Sequence, residues 1–266
     1  MIPESNHDAT QPDAPENAGL LNAGLLEPGR AESNALAVGL MAKHWTPGKV
    51  KTRLAAEIGD MAACQLHYHS VQLMLRQLCG VTPHAWLALA PADRLAQVRG
   101  ELPHPWRATA QSDGDLGQRM SQLLQFLLRS SPSVGQVVVI GSDCPWITAD
   151  HIRAAGHILD DADVVMGPAA DGGYYLIGVA GPWHANYANL FTDIAWSTAR
   201  VAEQTRAVCQ RHGLRLRELE TLSDVDFVAD LQRIGPEVGD ATFQTALKTL
   251  NVPCQMPLLS RPEIAE

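Results

Sequence analysis

Hydrophobic positions fall into short unbroken runs separated by longer stretches with helical spacing. Ala35–Met41 is apolar throughout, as expected of a first strand buried on both faces. In Asp60–Leu78, Val71, Met74, Leu75 and Leu78 recur at i, i+3, i+4 and i+7, which predicts a helix, and Gly80 stands where a C-terminal cap belongs. Ala85–Ala90 reads as a second strand. Residues 91–116 carry prolines at 91, 103 and 105 and read as irregular. Gly117–Ser130 is helical, with Met120, Leu123, Leu124 and Leu127 on one face. Val137–Ile140 is β-branched throughout and predicts a central strand. Thr148 can cap a helix reaching Leu159. Asp163–Met166 and Tyr174–Val179 read as strands around a Gly-rich turn. A helix is expected from Ser197/Thr198 to Gly213, a strand over Leu214–Leu219, and short helices from about Asp226 and Asp240. Strands and helices alternating at this spacing imply βαβ crossovers, hence an α/β fold with a mostly parallel sheet covered by helices on both faces.

Composition narrows the function classes. The chain has 266 residues, 46% of them apolar, enough for one large packed domain. No apolar run approaches the ~18 residues of a membrane span. The net charge of −9 argues against a nucleic-acid partner. Six acids against one base lie in residues 1–34, which read as a disordered extension. Residues 251–266 read as a loose tail, leaving a single catalytic domain over 35–250. Cysteines 64, 79, 144, 209 and 254 are dispersed and form no C-x-x-C pair, so a cytoplasmic setting is expected.

In a doubly covered parallel sheet, ligands bind beyond the carboxyl ends of the strands, so the residues after each strand matter most. After the first strand, Pro47-Gly48-Lys49-Val50-Lys51-Thr52-Arg53 places three cations beside a glycine. Lys51 and Arg53 suit phosphate, one as a point charge and the other as a fork. The segment is not a Walker A loop, because Lys43 and Val50 stand where Gly and Ser/Thr are required. After the central strand, Asp143 in Gly141-Ser142-Asp143-Cys144 is a natural Mg²⁺ or Mn²⁺ ligand, or a turn former. Cys144 reads as a packing cysteine. Asp171-Gly172-Gly173-Tyr174 is either a hairpin turn or a ligand-facing loop in which Asp171 acts as base. Asp113 or Asp115 caps the 117–130 helix, or the loop through Asp115, Leu116 and Gly117 contacts a nucleotide. Asp224 and Asp226 cap the following helix, or one of them is a second metal ligand. His67 and His69 are two apart and read as structural.

Taken together, MAKHWTPGKVKTRLA, GDLGQRM, VVVIGSDCPWIT, DVVMGPAADGGYYLIG, the Phe191…Ala195-Trp196-Ser197-Thr198 segment and LSDVDFVADL resemble one family over about residues 36–232. These are the small bacterial GT-A-type transferases found beside radical-SAM and selenodomain genes, known as arsenosugar-biosynthesis glycosyltransferases. The resemblance implies a GT-A, nucleotide-diphospho-sugar transferase-like fold, a Mg²⁺ or Mn²⁺ ion, a nucleotide-sugar donor and a small-molecule acceptor. It puts Gly48, Lys51, Thr52 and Arg53 at the phosphates, and Asp115, Leu116 and Gly117 near the nucleotide. Asp143 would hold the metal with help from Asp226, since Ser142 leaves no D-x-D motif. Asp171 would be catalytic beside Asp143, with Gly172, Gly173, Tyr174 and Trp196 lining the sugar or acceptor side. The K-T-R-L segment also resembles guanylyltransferases that activate phospholactate, which makes nucleotidyl transfer the alternative. A nucleotide-binding protein without turnover is the third reading.

Overall fold

A computed structural model describes residues 34–234 and 239–249. The extension expected over residues 1–34 lies outside the described residues except for Asn34, and the tail expected over 251–266 lies outside them entirely. The elements are β1 (Ala35–Lys43), α1 (Thr52–Ile58), α2 (Asp60–Gln77), β2 (His84–Ala90), α3 (Leu95–Val98), β3 (Arg107–Ala110), α4 (Leu116–Leu128), β4 (Val134–Gly141), α5 (Ala149–Leu159), β5 (Val164–Pro168), β6 (Tyr174–Ala180), α6 (Val201–Arg211), β7 (Leu216–Glu218), α7 (Val228–Ile234) and α8 (Ala241–Thr249).

The strands form one seven-stranded sheet in the order β3-β2-β1-β4-β6-β5-β7. Pairs β1–β2, β1–β4, β2–β3 and β5–β7 are parallel, while β6 runs antiparallel to both β4 and β5. The sheet is therefore mixed and mostly parallel. Successive side chains on a strand face opposite sides, and the two cores follow that period. Ala37 and Met41 of β1 and Val137 and Val139 of β4 pack with Leu123, Leu124 and Leu127 of α4 and with Val201 and Val208 of α6. Val38, Leu40, Val138 and Ile140 pack on the other face with Met74 and Leu75 of α2 and Ile152 of α5. A third, smaller cluster joins Leu54 of α1, Leu66 and Leu73 of α2, and Phe243 and Leu247 of α8.

Three readings of the sequence are corrected. Thr52–Ile58, to which the sequence pattern assigns no element, forms α1, with only Leu54 buried. Residues 91–116 contain β3, a four-residue strand at the edge of the sheet. α6 begins at Val201, later than Ser197, because Ser197 has a positive φ of 62° and the Thr198 hydroxyl donates to Ala195 O at 2.7 Å.

β1 lies between β2, which follows it in sequence, and β4, which the chain reaches only later. The chain thus leaves β1 towards opposite sides, and a crevice opens at the carboxyl ends of the strands.

Candidate active site

That crevice is a cleft of about 640 Å³, within the usual range for small-molecule sites. Five cations line it, namely Lys43, Lys49, Lys51, Arg53 and Arg119. So do four carboxylates, Asp143, Asp171, Asp224 and Asp226. The carboxylates, Lys43, Lys49 and Lys51 are delivered by strand ends or the connections that follow them, Arg53 by the first turn of α1 and Arg119 by the first turn of α4. Lys43 closes β1, Asp143 follows β4, Asp171 follows β5, and Asp224 and Asp226 lie in the connection between β7 and α7. That connection is tied to the β4 loop by Val225 N, which donates to Asp143 O at 2.9 Å.

Lys51 and Asp143 form the centre. The Lys51 ammonium donates to the Asp143 carboxylate and, at 2.7 Å, to Val225 O. The Lys51 side chain is 6% exposed, whereas that of Asp143 is 57% exposed and opens into the cleft. A buried ammonium needs such partners. Lys51 also holds a left-handed backbone conformation (φ 47°, ψ 45°), which costs about 1–2 kcal/mol for a non-glycine residue and is kept by its surroundings. Withdrawal from bulk water raises the Asp143 pKa, but the bonded Lys51 ammonium outweighs this and holds the carboxyl below its ordinary value. Beside this pair, Arg53 Nη1 donates to Asp226 Oδ2 at 2.7 Å. Asp224 has no hydrogen-bond or ion-pair partner among the described residues. Burial, then the Asp143 and Asp171 carboxylates, push its pKa up to about 7 against the opposing pull of Lys51.

His67 is 3% exposed and also lines the cleft. Its Nε2 contacts Lys43 O at 2.9 Å. A carbonyl only accepts, so Nε2 carries the proton and Nδ1 is left as a buried acceptor with no partner. Burial lowers the imidazole pKa, which suits this neutral form. On the other wall, Gln111 Nε2 donates to Ala42 O and Ala88 O, both at 2.9 Å, which fixes the orientation of its amide. Trp196 stands edge-on to Tyr174, with ring centroids 6.4 Å apart.

Of the residues expected from the sequence, Lys51, Thr52, Arg53, Leu116, Asp143, Asp171, Gly173, Tyr174, Trp196 and Asp226 line this one cleft. Gly48, Asp115, Gly117 and Gly172 do not. Gly48 turns the chain at φ 72° against Asp60. Asp115 caps α4, accepting from Gln118 N at 2.8 Å while Gln118 Oε1 accepts from Asp115 N. A Cβ on Gly117 would lie 2.5 Å from the Trp196 ring, and one on Gly172 would lie 2.1 Å from Ala199 O, so both glycines admit protein rather than ligand. Asp171 Oδ1 accepts from Gly173 N at 2.8 Å, which leaves its other oxygen free. Neither Asp224 nor Asp226 caps α7, since Asp230 Oδ2 takes Asp226 N and Phe227 N instead. Sequence reasoning did not place Lys43, Gln111, Arg119 or His67 here. The position of Lys43 at a strand terminus was a signal for it.

The acids have hard oxygen donors suited to Mg²⁺ or Mn²⁺. Yet among the described residues no group of three His, Cys, Asp or Glu side chains is gathered so as to hold a metal ion. Lys51 and Arg53 already occupy Asp143 and Asp226. As the side chains stand, the set does not fit a metal. Cys64, Cys79, Cys144 and Cys209 are free thiols, and burial raises the pKa of Cys144 far from any reactive range. Among the described residues no helix is long and apolar enough to cross a membrane.

Comparison with known proteins gives three results. The profile of a family described as "uncharacterized protein conserved in bacteria (DUF2064)" matches residues 75–198, just under half of the chain. No curated protein matches the sequence. Among solved structures, the chain is similar to a protein of Desulfovibrio desulfuricans G20 that is provisionally called a nucleotide-diphospho-sugar transferase. The two share 29% identity at a TM-score of 0.73, over 82% of this chain and 96% of that one. A nucleotidyl transferase from Methanothermobacter thermautotroptrophicus is 14% identical at a TM-score of 0.48, over 82% of this chain and 100% of that one. A cytidylyltransferase from Leptospira borgpetersenii is 10% identical at 0.48, over 84% and 98%. At those scores neither of these two bears on what this chain does. The fold is that of the nucleotide-diphospho-sugar transferase-like proteins.

Proposed function

We propose that the chain is a transferase that binds a nucleoside-diphosphate sugar in this cleft and passes the sugar to a small-molecule acceptor. The observation that carries the proposal is the convergence of Lys43, Lys49, Lys51, Arg53 and Arg119 in one cleft of a protein whose net charge is −9. Lys43, Lys49 and Arg119 have no ion-pair partner among the described residues, and such unpaired cations in a crevice at strand carboxyl ends suit a diphosphate. The similarity to the Desulfovibrio protein supports the same reading.

In this proposal Lys51 and Arg53, assisted by Lys43 and Lys49, face the diphosphate. Their charge stabilises the leaving group more as the glycosidic bond breaks than before it, and that difference lowers the barrier. The free oxygen of Asp171 takes a proton from the acceptor hydroxyl. Tyr174 and Trp196 wall the acceptor side, and Gly173 lets the acceptor approach the backbone. A Mg²⁺ or Mn²⁺ ion belongs to the proposal only with Lys51 and Arg53 withdrawn from Asp143 and Asp226. A single catalytic domain over 35–250, a cytoplasmic setting and kinship with the arsenosugar-biosynthesis glycosyltransferases are parts of the same proposal.

One observation favours nucleotidyl transfer as the second reading. Asp224 adds a third carboxylate near Asp143 and Asp226, more than phosphate binding alone requires, though among the described residues the three are not gathered so as to hold a metal ion. Incubation with a panel of nucleotide sugars and sugar or polyol acceptors, and in parallel with nucleoside triphosphates and phosphorylated acceptors, separates the two. Release of nucleoside diphosphate supports glycosyl transfer, and release of pyrophosphate supports the second reading. Neither product with any pair refutes turnover.

A further inference from the structure

Acids in a cleft that receives a diphosphate have two uses. They hold a divalent ion, or they tether a cation that belongs to the protein. The donor set here is of the second kind. The Lys51 ammonium donates to the Asp143 carboxylate and to Val225 O, and its side chain is only 6% exposed. Arg53 Nη1 donates to Asp226 Oδ2 at 2.7 Å. An ion on Asp143 would meet an ammonium bonded to the same carboxylate, and the two cations repel. Displacing Lys51 from Asp143 would leave a buried ammonium without its counter-charge. Gly141 and Pro145 stand two residues to either side of Asp143, so no second acid joins it from its own loop. Among the described residues no three acids gather around a common point.

We propose that the cleft handles a diphosphate without a divalent ion. Lys51 and Arg53 supply the positive charge that such an ion would bring, and Asp143 and Asp226 are positioning residues that tether them. The inference rests on the reading of the cleft as a nucleotide-diphosphate site.

The donor count supports it. An ammonium has three N–H groups and a guanidinium five. Among the described residues Lys51 spends two, on Asp143 and Val225 O, and Arg53 spends one, on Asp226. Both line the cleft and keep donors for phosphate oxygens while they stay on their acids. No rearrangement has to precede binding. With these two pairs neutral, Lys43, Lys49 and Arg119 still line the cleft without ion-pair partners among the described residues. The diphosphate therefore meets unpaired cations before any ion is added.

The same groups serve the transfer. When the bond from the sugar carbon to the diphosphate oxygen breaks, its electron pair stays on that oxygen as one further negative charge. The acceptor oxygen forms the new bond to the sugar carbon, and its proton passes to Asp171. The remaining N–H groups of Lys51 and Arg53 are the donors that meet the charge as it develops.

The test is calorimetric titration of the full chain with UDP, GDP, CDP and ADP, in EDTA and in Mn²⁺. At least one diphosphate is expected to bind wild type in EDTA, and Mn²⁺ is expected to tighten it by no more than about 3-fold. Lys51→Met is expected to bind it about 10-fold more weakly in EDTA, through the lost charge-assisted hydrogen bond. Lys51→Gln is the second variant, with circular dichroism to show that both fold. Binding to wild type in Mn²⁺ alone, or tightening by Mn²⁺ beyond that limit, overturns the inference and leaves the cleft a nucleotide site. Equal affinity of wild type and both Lys51 variants in EDTA overturns it too. Failure of every diphosphate to bind wild type in either buffer overturns the reading of the cleft, and the inference with it.

Discussion

The Lys51 ammonium and the Asp143 carboxylate, 92 residues apart in sequence, are hydrogen-bonded on the floor of the cleft. Lys51 is the buried partner and Asp143 the exposed one. Replacing the carboxylate by an amide leaves Lys51 neutral acceptors, the amide oxygen and Val225 O, but no counter-charge. Asp143→Asn is expected to lower unfolding stability by about 1–2 kcal/mol, less than a fully buried pair because half of this one is solvated. Turnover is expected to vanish while the fold survives. Urea denaturation beside a product assay checks both, and full activity in this variant would refute the role of Asp143.

Asp224 gives a pH signature. Its pKa is about 7 in the folded protein and near the ordinary 3.8 in the unfolded chain. Between those values the folded state binds the extra proton, so this group's contribution to stability is intact at low pH and is lost as pH rises through 7. Asparagine resembles the protonated acid. Asp224→Asn is therefore expected to stabilise the protein at pH 8.5 by about 1–2 kcal/mol and to have a much smaller effect at pH 4.5, where the loss has only begun. Melting temperatures at the two pH values decide. An equal effect at both would contradict the raised pKa.

Much of this arrangement was legible in the sequence, and the limits have physical causes. β1, β4 and β6 announce themselves because both faces are buried and the runs are apolar. β3 does not, because an edge strand of four residues, RATA, has neither alternation nor a buried run. α1 was missed because it buries only Leu54 and its N-cap, Lys51, is a residue without a capping side chain. Asking which residues follow each strand led to Lys51, Arg53, Asp143, Asp171 and Asp226. It did not reveal that the cations and acids bond to each other, since pairs 92 and 173 residues apart leave no local trace. Gly117 and Gly172 were read as ligand-facing because a glycine signals close approach without saying what approaches. Here it is Trp196 and Ala199.

Those glycines supply a graded test. Gly172 has φ 88°, and a Cβ there would lie 2.1 Å from Ala199 O. Gly59 has a similar φ of 86° with nothing within 4 Å. Gly172→Ala is expected to cost about 2–4 kcal/mol, combining overpacking with backbone strain, and Gly59→Ala about 1 kcal/mol from strain alone. Equal losses in denaturant midpoint would contradict the close packing of the 169–173 turn on the 195–199 loop.

The unpaired cations separate binding from stability. Lys43 and Lys49 line the cleft without ion-pair partners among the described residues. Replacing each with Ala is expected to leave stability within about 0.5 kcal/mol of wild type. Each replacement is expected to weaken nucleotide binding by about 3–10-fold through a lost charge-assisted hydrogen bond. Parallel unfolding and binding titrations test this. Loss of stability without loss of affinity would make them structural.

The most direct measurement is calorimetric titration of the wild-type protein with UDP, GDP, CDP and ADP, in EDTA and in Mn²⁺, beside the Lys43→Ala/Lys49→Ala double variant. The cleft as described predicts that at least one diphosphate binds wild type, in EDTA as well as in Mn²⁺, and that the double variant binds it at least about 10-fold more weakly. Absence of binding by every diphosphate, or equal binding by wild type and double variant, would contradict the assignment of this cleft to nucleotide phosphates.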